Sequence, residues 1–484
     1  MEKNYWVYED YFIFKPHFDG SIVNYLDIIK HYKKLIFSDY DDLEYCIISI
    51  KNKNNIQRQF VGSKFNQPLS NSLNQLISNC SKICGISFNK LLFNSFDQLT
   101  NLTHINFGHD FNQPLTNSLD KLINLTHITF GYHFNQPLTN SLDQLINLTY
   151  ITFGYYFNQP LTNSLDQLIN LTQMTFGYKF NKPLANSFDK SINLTHLTFG
   201  TEFNVQLGNS LDKLINLTHL TFGTEFNVQL GNSLDKLTNL TSITFSWVYN
   251  NPLDNLLDKF INLTHITFGD WFDQPLTNSL DQLINLTHLT FGKCFNQPLS
   301  NSLNQLINLT QINFGFFFNQ PLSNSFSQLI NLTRITFGCH FNQPLTDPLI
   351  QLINMTRITL GFSFNQPLQK LLYSLTKLEY LTLGLCFDQE LILPSNIKIL
   401  SLNCKNQYLI DNLPNSIEQL NFNEDFNLPL DNLPNSIKKI SFNKISVYNY
   451  QLNNLPKSLE QLELPKNYKL ELKNIPPNCK IIYL

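Results

Sequence analysis

The stretch FNQPLTNSLDQLINLTYITFG, residues 134–154, recurs along the chain and decides its fold. Close copies begin at Phe111, Phe157, Phe272 and Phe295. A Phe recurs every 23 residues from Phe65 to Phe387, and Tyr249 stands at the one position where the Phe is missing. A fixed internal period of about 20–50 residues is typical of solenoid proteins. We therefore predict that each copy builds one coil of a solenoid.

The end of each copy predicts a strand. In the copy Phe111–His133, the segment 125–131 alternates apolar and polar residues, which favours a short strand with Ile128 and Phe130 turned inward. Pro114 lacks a backbone N–H and predicts an extended corner, while the leucines of the following SLDKL segment fit one short helical turn. One coil cannot bury its own apolar side, so the coils must stack, with their strands in a parallel sheet.

Two Asn columns accompany the apolar ones. Asn112 recurs in successive copies as Asn66, Asn89, Asn135, Asn158, Asn181 and Asn204. Asn at coil spacing favours a side-chain ladder that satisfies turn amides, and contact with a ligand is the alternative. Each N-L-T, as at Asn124, is formally a glycosylation sequon. Glycans on consecutive coils would stand about 5 Å apart and collide, so we interpret these Asn residues as structural.

The repeat has a recognisable relative. The order L-x-x-I-x-F followed by a corner is similar to a leucine-rich repeat. The F-N-x-P-L element resembles the FNIP repeat family, a leucine-rich-repeat relative of social amoebae and of giant viruses of amoebae. FNQPL, with Gln in place of the family's Ile, stands at residues 65–69, 111–115, 134–138, 157–161, 295–299, 318–322, 341–345 and 364–368. The resemblance covers residues 56–484 and implies a fold, but no activity.

The repeat changes form near the C-terminus. LPSNIKILSL begins at Leu393, and related segments follow at spacings of 20 to 22 residues. We predict an N-terminal cap at 1–55, a solenoid of 23-residue repeats at 56–392 and its continuation at 393–484. The expected fold class is an α/β or mainly-β solenoid, a leucine-rich-repeat-like superhelix of 20–23-residue coils with one parallel sheet and a small N-terminal cap.

Residues 1–55 do not repeat. The spacing of apolar residues predicts one helix from Ser21 to Leu35, after an aromatic, strand-like segment from Tyr5 to Phe14. We expect this mixed segment to cover the first coil. Some FNIP relatives carry an N-terminal F-box, a small helical bundle that docks onto ubiquitin-ligase machinery, so a diverged F-box-like docking segment is the alternative.

Composition limits the choice of partner and compartment. The net charge is −3 and only 14% of residues are charged, so we expect no nucleic-acid partner. The N-terminus MEKNYWVYEDYFIF has no apolar core of signal-peptide length, and no stretch is long enough to span a membrane. The eight Cys share no metal-site spacing. We expect an intracellular, cytoplasmic protein with no membrane partner, in the host cytoplasm if the source is a virus.

Side chains between the buried strand residues must face away from the core. At the His127 position, the candidate binding residues of successive coils are His127, Tyr150, His196, His219, His265, His288, Arg334 and Arg357. Adjacent strands lie about 4.8 Å apart, so His104–His127, for example, are neighbours. A zinc site needs three or four protein ligands, and no column supplies a third beside such a pair. We therefore predict no metal site, no cofactor and, since no catalytic set stands out by spacing, no enzymatic activity.

The two residues after the Gly that ends each strand vary and include large aromatic side chains. These further candidates are Tyr132, Tyr155, Tyr156, Trp247, Trp271 and Phe316. Aromatic residues are enriched in interface cores, which favours a protein-binding surface, and packing against neighbouring coils is the alternative.

The leading functional hypothesis is a non-enzymatic scaffold that binds a protein through the strand face and its flanking turns. The alternative is a substrate adaptor of a ubiquitin ligase. We expect a monomer, with an end-to-end dimer through the C-terminal coil, residues 475–484, as the alternative.

Overall fold

The structure is a computed structural model, which describes residues 3–9, 11–18, 22–29, 34–37, 43–44, 89, 91–92, 100 and 102–484. Some sequence predictions lie outside these residues: the repeats that start at Phe65 and Phe88, the cysteines Cys46, Cys80 and Cys84, and the boundary at residue 55. The chain divides into two compact units, residues 1–240 and 241–484.

The N-terminal segment is a three-stranded sheet. Its strands are β1 Tyr5–Tyr8, β2 Tyr11–Phe14 and β3 Lys34–Phe37, with β2 antiparallel to β1 and parallel to β3. A 3-10 turn, Ile22–Tyr25, leads into the one-turn helix α1, Leu26–Ile29. The prediction of one helix as far as Leu35 is wrong at its end, because residues 34–37 pair with β2 instead. Phe14 is fully buried and stacks on Phe18 at 4.0 Å, so aromatic packing stabilises this segment.

The first unit continues as a parallel sheet of three-residue strands. These are β4 His104–Asn106, β5 His127–Thr129, β6 Tyr150–Thr152, β7 Gln173–Thr175, β8 His196–Thr198 and β9 His219–Thr221. Each strand pairs with the next in register, as Ile105 with Ile128 and Ile128 with Ile151. The constant register confirms that one copy of the repeat makes one coil.

The second unit contains the same kind of sheet. Its strands are β10 Ser242–Thr244, β11 His265–Thr267, β12 His288–Thr290, β13 Gln311–Asn313, β14 Arg334–Thr336, β15 Arg357–Thr359, β16 Tyr380–Leu383, β17 Ile399–Leu402, β18 Gln419–Phe422, β19 Lys439–Phe442, β20 Gln461–Leu464 and β21 Lys480–Tyr483. β17 pairs directly with β16, so the shorter repeats extend the same sheet within this unit. In the last pair of strands, Ile481 of β21 lies opposite the buried Leu462 of β20.

The return segments of the coils are mostly turns. Leu122 N donates to Leu119 O at 2.9 Å, which is the expected short helical turn. The described helical segments in the second unit are a 3-10 turn and three helices: Ser323–Phe326, α2 Thr346–Leu349, α3 Gln369–Ser374 and α4 Gln407–Asp411. None of the described helices combines the length and apolar character needed to cross a membrane.

Each coil encloses one layer of apolar side chains. In the coil that starts at Phe111, seven apolar side chains face inward and are at most 3% exposed: Phe111, Leu115, Leu119, Leu122, Leu125, Ile128 and Phe130. The Phe rings also stack between coils, with centroids 6.0 Å apart for Phe111 and Phe134 and 6.1 Å for Phe134 and Phe157. Tyr249 takes the place of the missing Phe and is equally buried. The predicted inward columns are confirmed.

The predicted Asn ladder is present in both units. Asn158 N donates to Asn135 Oδ1 at 2.9 Å, and Asn342 N donates to Asn319 Oδ1 at 2.9 Å. Where Asp273 replaces the Asn, its carboxylate accepts in the same way from the next coil, at 2.9 Å. Each bond satisfies a turn amide with a side chain from the preceding coil.

The N-L-T segments form a second ladder. Asn147 Nδ2 donates to Ile123 O at 2.8 Å, Leu148 is fully buried, and Thr149 Oγ1 donates to Thr126 O at 3.0 Å. The same bonds recur along the coils, for example at Asn308 and Thr310. The sequon Asn is therefore a structural column, as predicted.

A Gly follows most strands of the 23-residue repeats and allows neighbouring turns to touch. A Cβ added to Gly131 would lie 1.8 Å from Gly108 O, and one added to Gly154 would lie 1.7 Å from Gly131 O. Only a residue without a side chain fits this close approach of two backbones. The turn residues that follow are consequently held against those of the adjacent coil.

Candidate functional site

The strand face consists of the residues at the His127 position in each coil. These side chains flank the buried residue at the centre of their strand, as His127 and Thr129 flank Ile128. All eight predicted residues at this position are exposed or half-buried: His127, Tyr150, His196, His219, His265, His288, Arg334 and Arg357. The structure therefore places them on the surface that the sequence analysis assigned to them.

The Thr of N-L-T orients the His that follows it. Thr126 Oγ1 donates to Thr103 O at 2.9 Å and lies 2.8 Å from His127 Nδ1. Because the hydroxyl proton goes to the carbonyl oxygen, the ring must donate in this contact, so Nδ1 carries the proton of the neutral imidazole and Nε2 is the acceptor. Thr195 makes the same pair of contacts with Thr172 O and His196.

The His side chains of the strand face stack in pairs. The ring centroids are 4.1 Å apart in His104–His127, 4.2 Å in His196–His219 and 4.3 Å in His265–His288, and the ring planes are nearly parallel. Burial lowers the pKa of His196, and the neighbouring His219 lowers it further. The pKa of His288 is lowered by burial, by His265 and by Arg334. The rings of His196 and His288 therefore favour the neutral form.

We name the two residues after the strand-ending Gly the turn flank of a coil. In the first unit, the first position of the turn flank forms a stacked row, His109–Tyr132–Tyr155–Tyr178, with successive centroids 4.6, 4.6 and 4.5 Å apart. At the second position, His133 stacks on Tyr156 at 5.2 Å. Tyr132 is 37% exposed and Tyr156 is 40% exposed. The aromatic residues thus pack against neighbouring coils and also present ring surface to solvent.

The turn flank of the second unit carries separate exposed aromatic residues. Trp247 and Trp271 are 50% and 59% exposed, and Trp271 N donates to Trp247 O at 2.9 Å. Lys293 Nζ lies 4.9 Å from the centroid of the Trp247 ring and 2.7 Å from Asp270 Oδ2. Phe316 is also exposed. The predicted residues therefore form several patches on one kind of surface, and not a single cluster.

Two arginines are neighbours on the strand face of the second unit. Arg334 on β14 lies directly opposite Arg357 on β15, and the Arg357 guanidinium covers the Tyr380 ring at 4.1 Å. Within residues 102–484, neither guanidinium has a carboxylate within ion-pair distance. Like charges directly opposite each other destabilise a sheet, so this pair is typical of a site for an anionic group.

One group of side chains that the sequence analysis missed could hold a metal ion. His109 Nδ1 lies 2.6 Å from Asp110 Oδ1, His133 Nε2 lies 4.0 Å from the same oxygen, and one ligand atom from each of the three residues lies within 4.8 Å of the others. His109 and His133 are 24 residues apart, so they do not share a column of the 23-residue repeat. A search along the diagonal between coils could have found them.

A column of exposed Ile was missed as well. The Ile of I-N-L-T is about half exposed in coil after coil: Ile123, Ile146, Ile169, Ile192, Ile215, Ile261, Ile284, Ile307, Ile330 and Ile353. The sequence indicates that this Ile is exposed, because in Q-L-I-N-L the Leu and the Ile are adjacent and a turn cannot direct both side chains inward. This column lies just before the strands in sequence, as Ile123 stands four residues before His127, the first residue of β5.

Comparison with known proteins defines the repeat. The family model described as FNIP Repeat matches residues 387–425 and 406–445. Residues 387–445 therefore match FNIP repeats. The matched FNIP repeats include the FNLPL segment that begins at Phe426. None of the curated proteins compared with the chain matches it.

Solved structures show the fold of the chain. CroV588 from the giant virus CroV, described as a novel circular leucine-rich-repeat structure, is 29% identical, with a TM-score of 0.69 over 99% of this chain and 77% of that chain. TLR13 in its complex with ssRNA13 is 15% identical, with a TM-score of 0.55 over 99% and 78%. The leucine-rich-repeat protein LIC12759 of Leptospira interrogans is 18% identical, with a TM-score of 0.50 over 73% and 97%. The fold is a leucine-rich-repeat-like solenoid.

Proposed function

We propose that the chain is a non-enzymatic scaffold that binds a partner protein through the strand face and the turn flank. The observation that carries this proposal is the set of stacked aromatic side chains in the turn flank, of which Tyr132 and Tyr156 remain exposed although they are ordered by stacking. Rigid aromatic surface gives large contact area at low entropic cost, and such residues are enriched at the centres of interfaces. Leucine-rich-repeat solenoids are built to present such a repeated surface.

The Arg334–Arg357 pair supports a more specific statement about the partner. Guanidinium groups bind carboxylates through two parallel hydrogen bonds, and neither arginine has such an acceptor in the described part of the second unit. The Tyr380 ring holds the Arg357 side chain in place. We infer that the partner contributes an acidic residue at this position.

The test compares two surfaces of the same molecule. One variant replaces Tyr155, Tyr156, Trp247 and Trp271 by Ser, and the matched control replaces four residues of the exposed Ile column, Ile146, Ile169, Ile284 and Ile307, by Ser. Each protein is immobilised and incubated with amoebal cell lysate, after its unfolding transition has been checked. We expect the wild type and the Ile variant to retain the same proteins and the aromatic variant to lose them. Equal retention by the aromatic variant, or loss only by the Ile variant, would contradict the proposal.

A role as ubiquitin-ligase adaptor is a second outcome of the same experiment. The described part of residues 1–55 contains a three-stranded sheet, the short helical segment 22–29 and two further helical residues, Leu43 and Glu44, whereas an F-box is a helical bundle. Recovery of ligase-core subunits by the full chain, and their loss when residues 1–55 are deleted, would support the adaptor.

The proposed compartment is the cytoplasm. The described cysteines are Cys294, Cys339, Cys386, Cys404 and Cys479, and none of them forms a disulfide. Unpaired thiols are usual in a reducing compartment. Fractionation of cells that produce the protein tests this assignment, and recovery from the secreted fraction would contradict it.

A further inference from the structure

We propose that His109, Asp110 and His133 form a binding site for a zinc-type divalent metal ion on the turn flank of the first unit. Two imidazole nitrogens and one carboxylate oxygen are a ligand set that suits Zn²⁺, and three protein ligands leave one coordination position open. This inference does not depend on the proposed function.

The backbone holds the two ligand-bearing turns together. Gly131 approaches Gly108 too closely for any side chain, and His133 N donates to His109 O at 2.9 Å. These contacts belong to the regular stacking of the coils, so the ligands lie on a rigid frame and not on a flexible loop. A site on a rigid frame loses little conformational entropy when it binds an ion.

Aromatic neighbours fix both rings. The His109 ring stacks on Tyr132 with planes 6° apart, and the His133 ring stacks on Tyr156 with planes 9° apart. Consequently the two imidazoles meet at 81°, with centroids 4.9 Å apart. Rings at this angle can direct nitrogen lone pairs toward one point.

The stacked His pairs of the strand face show why this geometry matters. In His196–His219 the planes are 8° apart, so the two rings lie face to face and their nitrogen lone pairs run parallel without converging. Thr195 and Thr218 also occupy the Nδ1 atoms of these rings. The pair therefore has the two imidazoles of the proposed site but lacks its carboxylate and its convergent geometry, and it serves as an internal control.

The distances allow an ion to enter with small side-chain rotations. Ligand atoms about 2.0–2.1 Å from a tetrahedral zinc lie roughly 3.3 Å from one another. The two observed distances lie on either side of this value. His109 Nδ1 is 2.6 Å from Asp110 Oδ1, and His133 Nε2 is 4.0 Å from the same oxygen. The three side chains are 40%, 42% and 46% exposed, which leaves room for both the rotation and an open coordination position.

The hydrogen bond between His109 Nδ1 and Asp110 must open before an ion takes the Nδ1 lone pair. A neutral imidazole carries its proton on either ring nitrogen, so this proton can move from Nδ1 to Nε2. Binding at Nδ1 therefore needs no net loss of a proton from the neutral ring.

The test titrates the purified full chain with Zn²⁺ in a calorimeter. We expect one Zn²⁺ per chain at this site. His109→Ala with His133→Ala should lower the affinity about tenfold or more, and Asp110→Asn, which keeps the shape but removes the charge, should also lower it. His196→Ala with His219→Ala should leave the titration unchanged.

Co²⁺ provides a second readout that separates this site from thiols. Nitrogen and oxygen ligands give weak visible bands, whereas cysteine ligands add strong charge-transfer absorption in the near ultraviolet. We expect the visible bands to be lost in the His109→Ala, His133→Ala variant while its circular dichroism spectrum matches the wild type. A titration that is unchanged in this variant, or that falls equally in the His196→Ala, His219→Ala control, would overturn the proposal.

Discussion

Phe157 shows how much stability depends on a single position of the repeat. Its ring is fully buried and lies 6.1 Å from the rings of both Phe134 and Phe180. Phe157→Ala should lower the free energy of unfolding by about 3–5 kcal/mol, because it removes apolar burial and leaves a cavity between two coils. Urea denaturation measures this loss. As a control, Ile169→Ala, at a half-exposed position, should cost no more than about 0.5 kcal/mol. Equal costs would show that the Phe column is not the core.

The stacked His residues give stability a pH dependence of known sign. The pKa of His196 is lowered in the folded state, so the unfolded chain takes up the proton first as pH falls. The contribution of His196 to the free energy of unfolding is present in full above the ordinary His pKa of about 6.5. It is lost as pH falls through the lowered pKa of His196 in the folded state. His196→Gln should make the free energy of unfolding less dependent on pH between about 7 and 5.

The fold should tolerate this change, because Gln stands at the same position in Gln173 and Gln311. Urea denaturation at several pH values decides the matter. A variant with the same slope as the wild type would assign the pH dependence to other groups.

Among the structural elements, the Asn ladder between coils can be tested with a substitution that the chain itself contains. Asn135→Ala removes the acceptor for Asn158 N and for Gln159 Nε2, and an unsatisfied amide costs about 1–3 kcal/mol. Asn135→Asp should cost clearly less, because Asp273 accepts the equivalent bond in the second unit. Urea denaturation of both variants checks this order. If Asn135→Asp lowers the free energy of unfolding as much as Asn135→Ala does, the amide group of Asn135 does more than accept hydrogen bonds.

At the same scale, the limits of sequence-based prediction have physical causes. The inward columns, the strands and the Asn ladder were predictable, because each depends on residues that repeat every 23 positions. The helix expected up to Leu35 was not correctly predicted, since the pairing of residues 34–37 with β2 depends on contacts across the sheet and not on local spacing. The His109–Asp110–His133 group was missed because its members occupy different columns, and only the stacking of coils brings them together.

For the molecule as a whole, the period predicts which deletions the array tolerates. Deletion of residues 157–179 removes one complete coil and leaves Phe180 at the position of Phe157, so the remaining coils of the first unit keep their register. Deletion of residues 157–178 leaves one extra residue in a turn whose glycines are already in contact, and it shifts the following columns.

We expect the first variant to keep the circular dichroism per residue and the cooperative unfolding of the wild type, and the second to lose cooperativity. Equal behaviour of the two deletions would mean that the turn absorbs an added residue, and would contradict the strict register that we infer from the paired strands.

The constant coil length also bears on how the gene can change. The segments 197–219 and 220–242 differ only at Ile215/Thr238 and His219/Ser242, as expected of a recent duplication. Unequal recombination between such copies inserts or removes one whole coil, whose Asn, Thr and Phe columns match those of any neighbour. A single genetic event therefore lengthens or shortens the row of surface side chains without a compensating mutation in the core. Selection can then act on the variable positions alone, while the scaffold is copied unchanged.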